Sequence, residues 1–431
     1  MRLAAIAVAI FGAAACTDFL KAENPGAVNE EDVNDPSFAN SIAGGPVFAF
    51  QTASTDAGYW NAQLTDEIFN RAVFVEEGQI DRRELNSDLS YINAFVYAPM
   101  QRARFLGEDA ARRLKEILGE EAKRDLRVAR SLAYASMSYN YLGEMMCATP
   151  IDLSAPKPPS EIFATAIERA EEAVTIGTTL RTFLQTLPVS GGNTNAIAAA
   201  DSVRNFALVA GARAALNRND KARAIALASQ VPANFIFLAY YSDNTTGQRN
   251  RTYERLGIGS NGSLLNTPFA AFASDPRVPR VAGTTGRGGT PLSPPSYSTY
   301  TGTLAGGLFA PIMSVRIASG LEARYIVAEA EGPTPATLAF VNERRAVGLQ
   351  TPVTLTGDGL MAELRDQRSR DFYLDNHRLG DLRRYKEFYN VDLFPKGPYP
   401  GSTSGQVYNE SVTCWPLPTN EINGNPNIPK G

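Results

Sequence analysis

Histidine is almost absent from this sequence, with His377 alone among 431 residues. A Ser-His-Asp or Cys-His mechanism would have to use that side chain, and no Gly-x-Ser-x-Gly pattern accompanies it. The same count excludes a metal site built on several histidines. No phosphate-loop lysine follows the glycine-rich residues 283–289. The sequence therefore predicts a protein that is not an enzyme and that has no cofactor, catalytic residue or metal site.

Carboxylates alone could still form a hydrolytic pair, and Asp66 with Glu67 is the candidate. Adjacent residues of a helix point about 100° apart, so these two side chains are poorly placed to act together. His377 lies in an arginine-rich stretch, and we interpret it as a structural residue.

Cysteine and tryptophan are also scarce. The sequence holds three cysteines and no Cys-x-x-Cys pattern, so a structural zinc site is not expected. Cys147 and Cys414 could form a disulfide in an oxidising compartment, but their separation gives no spacing signal and the pairing stays open. Trp60 and Trp415 are the only tryptophans, so a broad aromatic platform for glycans is not evident and the substrate class is open.

The sequence has no cluster of basic residues and no long apolar run. Lys and Arg number 41 against 45 Asp and Glu, a net charge of −4, which excludes nucleic acid and anionic lipid as expected partners. The apolar run after Arg2 is shorter than the roughly 20 residues that span a bilayer. Residues 1–15 are therefore predicted to be an export signal, and their removal leaves 40 − 45 = −5.

Three alanines precede Cys16, an ending that resembles the bacterial lipobox. Such an ending implies cleavage before Cys16 and acyl chains, palmitate among them, on its thiol and new amino group. Several chains at about 0.8 kcal/mol per buried methylene would anchor the protein to a membrane. An ordinary secreted protein with an incidental cysteine is the alternative.

Helical periodicity covers much of the chain. A first helix is expected from near Phe38 toward Gln51, and apolar residues recur at spacings of three and four within 95–118, 126–146 and 162–176. Residues 203–216 and 221–229 form a hairpin in which Ala212 and Ala224 would let two helices approach closely, as in tetratricopeptide repeats. The predicted fold is mostly α, with tetratricopeptide-like hairpins that form a right-handed scaffold, a loop-rich insertion and an irregular C-terminal part.

The chain divides by composition. After the signal come a lipidated tether at 16–36, an N-terminal helical part at 37–232 and a loop-rich, ligand-side part at 233–431. The last part holds a helical hairpin at 321–346 and an arginine-rich helical clamp at 358–389. Within it, residues 233–318 are rich in Gly, Ser, Thr, Pro and Asn, and so long a loop-rich insertion is usually functional or disordered.

Six arginines and four aspartates occur among residues 363–385. Because an unpaired buried charge costs several kcal/mol, we expect two short helices joined at Asn376-His377 and held by Arg–carboxylate pairs. The predicted clamp residues are Arg368, Arg370, Asp371, Arg378, Asp381, Arg383 and Arg384.

The sequence R-S-R-D-F-Y-L-D-N-H-R-L-G-D-L-R-R-Y resembles the signature of the SusD/RagB family, R-R-x-E-L-x-F-E-G-x-R-x-x-D-L-R-R. Asp371 and Asp375 stand where glutamate is usual, and Asn376 where glycine is usual. The Cys-Thr-Asp-Phe-Leu opening of the mature chain and the ending at 415–427 resemble that family as well.

The resemblance implies a lipoprotein of the cell outer membrane that faces the exterior and captures a nutrient, most often an oligosaccharide and sometimes a peptide. It also implies a partner, a SusC-type TonB-dependent barrel over which the protein sits as a lid. The alternative is a tetratricopeptide scaffold lipoprotein that assembles membrane proteins and binds no nutrient. The ligand, the barrel and the membrane leaflet are left open.

Sugar binding needs flat aromatic faces beside hydrogen-bonding side chains. Two groups of residues offer that mixture, one in a predicted loop after the first helix and one in the insertion. The candidate ligand-binding residues are Tyr59, Trp60, Asp66, Asn70, Arg71, Tyr240, Tyr241, Tyr297 and Tyr300. For each aromatic residue, packing beneath a loop is the alternative.

Overall fold

The computed structural model describes residues 35–72, 74–258, 261–272, 274–281, 290–291, 311–400 and 405–429. The predicted signal, the lipidation site at Cys16, Tyr297 and Tyr300 lie outside these residues.

Helices make up most of the described chain and pack in sequence order. They are α1 Ala39–Leu64, α2 Val75–Asp81, α3 Ala98–Leu118, α4 Leu126–Met145, α5 Pro159–Gln185, α6 Gly191–Asn217, α7 Lys221–Ala228, α8 Gly320–Glu331, α9 Pro335–Val347, α10 Gly357–Asp371, α11 Arg378–Tyr389 and α12 Thr419–Gly424. From α3 to α10 each helix packs on the next, so the fold is a row of helical hairpins. The predicted mostly α, tetratricopeptide-like architecture is confirmed.

Short strands join distant parts of the chain. The strands are β1 Phe69–Asn70, β2 Ile236–Ala239, β3 Gly262–Ser263, β4 Arg280–Val281, β5 Thr290–Pro291 and β6 Val315–Ser319. They form three antiparallel pairs, β1 with β3, β2 with β6 and β4 with β5. The first of these pairs links the segment after α1 to the insertion.

Small residues and side-chain caps shape the hairpins. A Cβ at Gly143 of α4 would lie 2.6 Å from the Phe163 ring of α5, so only glycine permits this approach. Asp125 caps α4 by accepting a hydrogen bond from the N–H of Arg127 at 2.8 Å. Ala212 and Ala224 are both fully buried, as the hairpin pattern predicted.

The first helix is much longer than the sequence indicated. It continues past Gln51 to Leu64 in spite of Pro46, and nearly all of its last turns are buried. Flanking helices cover it on several sides, so its residues lack the one-sided apolar pattern that marks a surface helix. Tyr59 and Trp60 therefore belong to a core helix, and the prediction that they lie in a loop is wrong.

In the clamp segment, α10 and α11 lie on either side of residues 372–377. Several partners come from outside the stretch: Asp66 accepts two hydrogen bonds from Arg378, both at 2.6 Å. Arg344 holds Asp371 through contacts of 2.8 and 2.7 Å. The clamp therefore ties α10 and α11 to the end of α1 and to α9.

Arg383 differs from the other clamp residues because its described polar partners are backbone carbonyls. Its Nη1 donates to the carbonyl oxygens of Gly143, Glu144 and Met146 at 3.1, 2.6 and 3.0 Å. These carbonyls end α4, so Arg383 satisfies acceptors that have no partner within the helix. Burial lowers the pKa of Arg383 to about 10.

Cys147 and Cys414 form a disulfide, which answers the pairing that the sequence left open. The chain on both sides of the bond is also paired. The N–H of Cys147 donates to the carbonyl of Trp415 at 2.9 Å, and the N–H of Trp415 donates to the carbonyl of Met145 at 2.8 Å. The C-terminal segment is thus joined to the end of α4.

Among the helices of the described chain, none combines the length and the apolar character that crossing a membrane requires.

Candidate functional site

A cleft of about 350 Å³ opens where α1 ends, and we call it the β1 cleft. Its walls are β1, the turn that leads into a short 3₁₀ helix at Pro268–Ala271, and two C-terminal loops. The lining residues are Thr65, Asp66, Ile68, Phe69, Asp81, Asn266, Thr267, Pro268, Leu393, Phe394, Pro395, Lys396, Pro398, Pro400 and Tyr408. Parts of the chain more than 300 residues apart thus meet at one concave surface.

Aromatic rings and prolines supply the apolar part of the cleft. Phe69 stacks on Tyr399 with centroids 5.3 Å apart, and Tyr399 meets Tyr408 edge to face at 5.3 Å. Behind them, the Arg83 guanidinium lies 5.2 Å from the centroid of Phe394. Arg83 also donates to the carbonyl of Pro395 at 2.5 Å. This packing fixes the C-terminal loop that carries the rings.

Two carboxyl groups lie in the cleft, Asp66 and Asp81. Asp66 is held by Arg378 from the clamp. Asp81 accepts a hydrogen bond from the N–H of Asn70 at 3.1 Å and another from the hydroxyl of Tyr399 at 2.5 Å. Burial raises the pKa of Asp81 to about 7, although both hydrogen bonds act in the opposite direction. Asp81 therefore keeps its proton to a higher pH than an ordinary aspartate does.

Exposed polar side chains stand at the rim. Asn266 is exposed and adopts a left-handed backbone conformation with φ of 65°. Lys396 is 47% exposed and pairs with Asp392 at 3.2 Å. The cleft thus combines apolar rings with hydrogen-bond donors and acceptors. A ligand with several hydroxyl groups requires this mixture.

Of the sequence-predicted residues, Tyr59 and Trp60 do not reach the cleft. They are 2% and 0% exposed. Trp60 stacks on Phe95 with centroids 5.8 Å apart, and the Arg255 guanidinium lies 5.0 Å from its ring. Neither ring presents a face to solvent.

Asp66 lines the cleft, and Asn70 contributes the backbone N–H that binds Asp81. Arg71 follows β1 and donates its N–H to the carbonyl of Asn261 at 2.8 Å. The other two described candidates, Tyr240 and Tyr241, directly follow β2. Tyr240 is 66% exposed, and Tyr241 donates its hydroxyl to the carbonyl of Gln51 at 2.8 Å. The structure therefore brings together the residues just after α1, whereas Tyr240 and Tyr241 do not line the cleft.

Sequence reasoning did not select Asp81, Asn266, Lys396, Tyr399 or Tyr408. The signal that could have found some of them is the Lys-Gly-Pro-Tyr-Pro turn at 396–400, where prolines hold an aromatic residue on a loop. Nothing in the sequence near Asp81 or Asn266 distinguishes them from ordinary helix-end and turn residues.

His377 occupies the junction of the clamp and is 2% exposed. Its Nδ1 lies 2.9 Å from the carbonyl oxygen of Asp375, and its Nε2 lies 3.2 Å from a carboxylate oxygen of Glu322. Burial and the charge of Arg213 lower its pKa well below the usual range. A buried, neutral imidazole packed on the ring of Phe372 at 4.4 Å is a structural element.

Within the described ranges, no group of three or more His, Cys, Asp or Glu side chains is arranged to hold a metal ion.

The ionisation of Glu67 is expected to make the stability of the folded protein depend on pH. It is 1% exposed and accepts a hydrogen bond from the N–H of Leu374 at 2.8 Å. Burial raises its pKa to about 8. The folded state therefore holds a proton that the unfolded chain has lost above about pH 4.5, so stability should fall as pH rises from about 5 to about 8.

Glu67→Gln removes this ionisation and keeps the acceptor for Leu374. We expect the variant to melt at the wild-type temperature near pH 5 and above it near pH 8.5. Thermal unfolding followed by circular dichroism across this range tests the prediction. A melting temperature that changes with pH in the same way in both proteins would contradict it. Asp81 also has a raised pKa, so the variant should keep part of the wild-type slope.

Comparison with known proteins agrees with this architecture. Residues 327–430 match the sequence model of the SusD family. A SusD superfamily protein from Bacteroides fragilis has a TM-score of 0.61 and 14% identity, over 92% of this chain and 99% of its own. A laminarin-binding SusD-like protein has a TM-score of 0.63 and 14% identity, over 92% and 98%. A SusD superfamily protein from Bacteroides vulgatus has a TM-score of 0.62 and 13% identity, over 91% and 99%.

No curated protein matches the sequence. The row of helical hairpins gives this chain a SusD-like fold. The similarity to the SusD family model is confined to residues 327–430, and the likeness to the SusD-superfamily structures is one of fold over about nine-tenths of the chain.

Proposed function

We propose that this protein captures a nutrient, an oligosaccharide in the first place, and delivers it to a SusC-type TonB-dependent transporter. It binds and does not catalyse. The observation that carries the proposal is the β1 cleft, in which Phe69 and Tyr408 lie beside Asp66, Asp81 and Asn266. A peptide is the second ligand class that such a surface could accept.

The family and one structural relative support a carbohydrate ligand. The relative is a laminarin-binding protein, at 14% identity, so its fold is shared and its ligand is only a guide to the first experiment. The aromatic rings of the cleft match the apolar faces of sugar rings, and Asp66, Asn266 and Lys396 can bond sugar hydroxyls.

The proposed location is the outer surface of the outer membrane, with the chain tethered through lipid on Cys16 after removal of a signal peptide. The short apolar run and the alanines before Cys16 support this anchor.

Asn266→Gly tests the cleft without loss of the fold, because glycine adopts a positive φ without strain. Calorimetric titration with laminarin oligosaccharides should show binding by the wild type and about fivefold to tenfold weaker binding by the variant. Asn219→Gly is the matched control, since Asn219 is also exposed with φ of 60° but lies in the α6–α7 turn. It should bind as the wild type does.

If laminarin oligosaccharides do not bind, a panel of other glycans and a tryptic peptide mixture follow, with the same two variants. Equal effects of the two glycine substitutions on every ligand that binds would remove the β1 cleft as the site. The transporter is tested separately by pull-down of the full-length lipoprotein from its own outer membrane in mild detergent. Recovery without a TonB-dependent barrel would contradict delivery and favour the scaffold alternative.

A further inference from the structure

A second concave site lies at the β2–β6 pair, away from the β1 cleft, and we call it the Arg277 pocket. Its volume is about 330 Å³. The lining residues are Ala233, Asn234, Phe235, Ile236, Pro276, Arg277, Arg316, Ser319, Leu321, Arg344, Val347, Asp371 and Tyr373. The pocket and the β1 cleft have no lining residue in common.

Three guanidinium groups reach this pocket. The side chains of Arg277, Arg316 and Arg344 are 8%, 3% and 13% exposed. Asp371 is the one carboxylate among the described lining residues. Its oxygens accept from Arg344 at 2.8 and 2.7 Å and from the hydroxyl of Tyr325 at 2.5 Å, so its hydrogen-bonding capacity is largely used.

One side-chain nitrogen of Arg277 has no hydrogen-bond acceptor among the described residues. Its Nε and Nη2 donate to the carboxylate of Asp275 at 2.9 and 2.7 Å, and Nη2 also donates to Gln367 at 2.8 Å. Its Nη1 is buried and makes no hydrogen bond within the described part of the chain, although it lies 3.3 Å from Asp371. A buried donor without an acceptor is uncommon in folded proteins, and a ligand oxygen would satisfy it.

Helix α8 starts at the wall of the pocket. Its N-cap Ser319 and its residue Leu321 both line the pocket, so the twelve-residue helix begins at the pocket wall. The N-terminus of a helix carries a partial positive charge that favours anions. Arg316 is held on its far side by Asp375, which is not a lining residue.

The mouth of the pocket is apolar. Ile236 is 53% exposed and Val347 is 42% exposed, and Leu321 and Phe235 continue the apolar wall inward. Isolated apolar residues are common on protein surfaces, but here they surround a set of arginines. A ligand that fits both parts has an anionic end and an apolar body.

We propose that the Arg277 pocket binds a small carboxylate with an aliphatic body, of the kind found at the free C-terminus of a peptide that ends in a branched residue. The carboxylate would accept from Arg277 Nη1 near the start of α8, and the side chain would pack on Val347 and Ile236. Arg is suited to this task because its planar fork matches carboxylate geometry. The site is independent of glycan binding at the β1 cleft.

N-acetyl-L-leucine and N-acetyl-L-leucinamide are the probes, since they differ only in the carboxylate. Titration followed by calorimetry or ligand-observed NMR should show binding of the acid and binding of the amide at least about tenfold weaker. N-acetylglycine, which lacks the aliphatic side chain, should also bind less tightly than N-acetyl-L-leucine.

Val347→Asp and Val347→Lys provide a matched pair of variants at an exposed position where neither should prevent folding. Both variants lose the apolar contact of Val347 with the ligand, but only the aspartate also repels the carboxylate, so Val347→Asp should bind N-acetyl-L-leucine at least about fivefold more weakly than Val347→Lys does. Melting temperatures close to that of the wild type would confirm that both variants fold. Equal affinities for the acid and the amide, absence of binding by the acid, or equal affinities of the two variants would each overturn the proposal.

Discussion

Replacing Asp381 with alanine is expected to destabilise the folded state by about 3 to 5 kcal/mol, because the change leaves a buried guanidinium without its carboxylate. Asp381 accepts from Arg368 Nε and from Arg384 Nη2, both at 2.7 Å. All three side chains are at most 5% exposed. Arg384 keeps a second partner in Glu329, whereas Arg368 has no other carboxylate among its described hydrogen-bond partners.

The pKa of Asp381 shows how strongly this site favours the ionised carboxylate. Burial alone would raise that pKa, but the positive charges of Arg368 and Arg384 outweigh burial and lower it below the usual range. The interaction of the charges is therefore large enough to compensate for the loss of water around the carboxylate.

Chemical denaturation compares Asp381→Ala with a control at an exposed ion pair. Glu343 pairs with Arg324 at 2.5 Å, but the two side chains are 48% and 37% exposed. Glu343→Ala should cost only about 0 to 1 kcal/mol, since water and salt screen such a pair. A similar loss of stability in both variants would show that burial of the clamp contributes nothing beyond an ordinary ion pair.

The clamp was predictable from the sequence because burial of so many charges is tolerated only when they are paired. Of the six arginines of the stretch, the structure pairs Arg368, Arg370, Arg378 and Arg384 with carboxylates, whereas Arg383 binds backbone carbonyls. The partners from elsewhere were not predictable. Asp66, Glu329 and Arg344 lie far from the stretch in sequence, and only the tertiary fold brings them to it.

The candidate site was predictable only in part, and the length of α1 is the reason. Residues 52–64 lack the one-sided apolar periodicity that indicates a helix on a surface, because neighbouring helices bury them on several sides. Reading this segment as a loop placed Trp60 in a ligand site when it lies in the core. Asp66, directly after the true helix end, does line the cleft.

The disulfide could not be predicted from the sequence, for a different reason. A separation of 267 residues carries no information about distance in the fold. What brings the two cysteines together is the return of the C-terminal segment to α4, where Trp415 is fully buried and donates its indole N–H to Asn61 at 2.8 Å. That segment has little regular structure to hold it, so the covalent bond should contribute much of its attachment.

Removing the disulfide with Cys147→Ser and Cys414→Ser together is expected to cost about 2 to 5 kcal/mol, since the bond closes a very long loop and restricts the unfolded chain. A reducing agent should lower the melting temperature of the wild type to that of the double variant. The same agent should leave the double variant unchanged, which separates loss of the bond from any effect of serine on packing. If the reduced wild type melts as the oxidised protein does, the contacts of Trp415 hold the C-terminal segment without the bond. A double variant far less stable than the reduced wild type would instead locate the effect in the two substituted side chains.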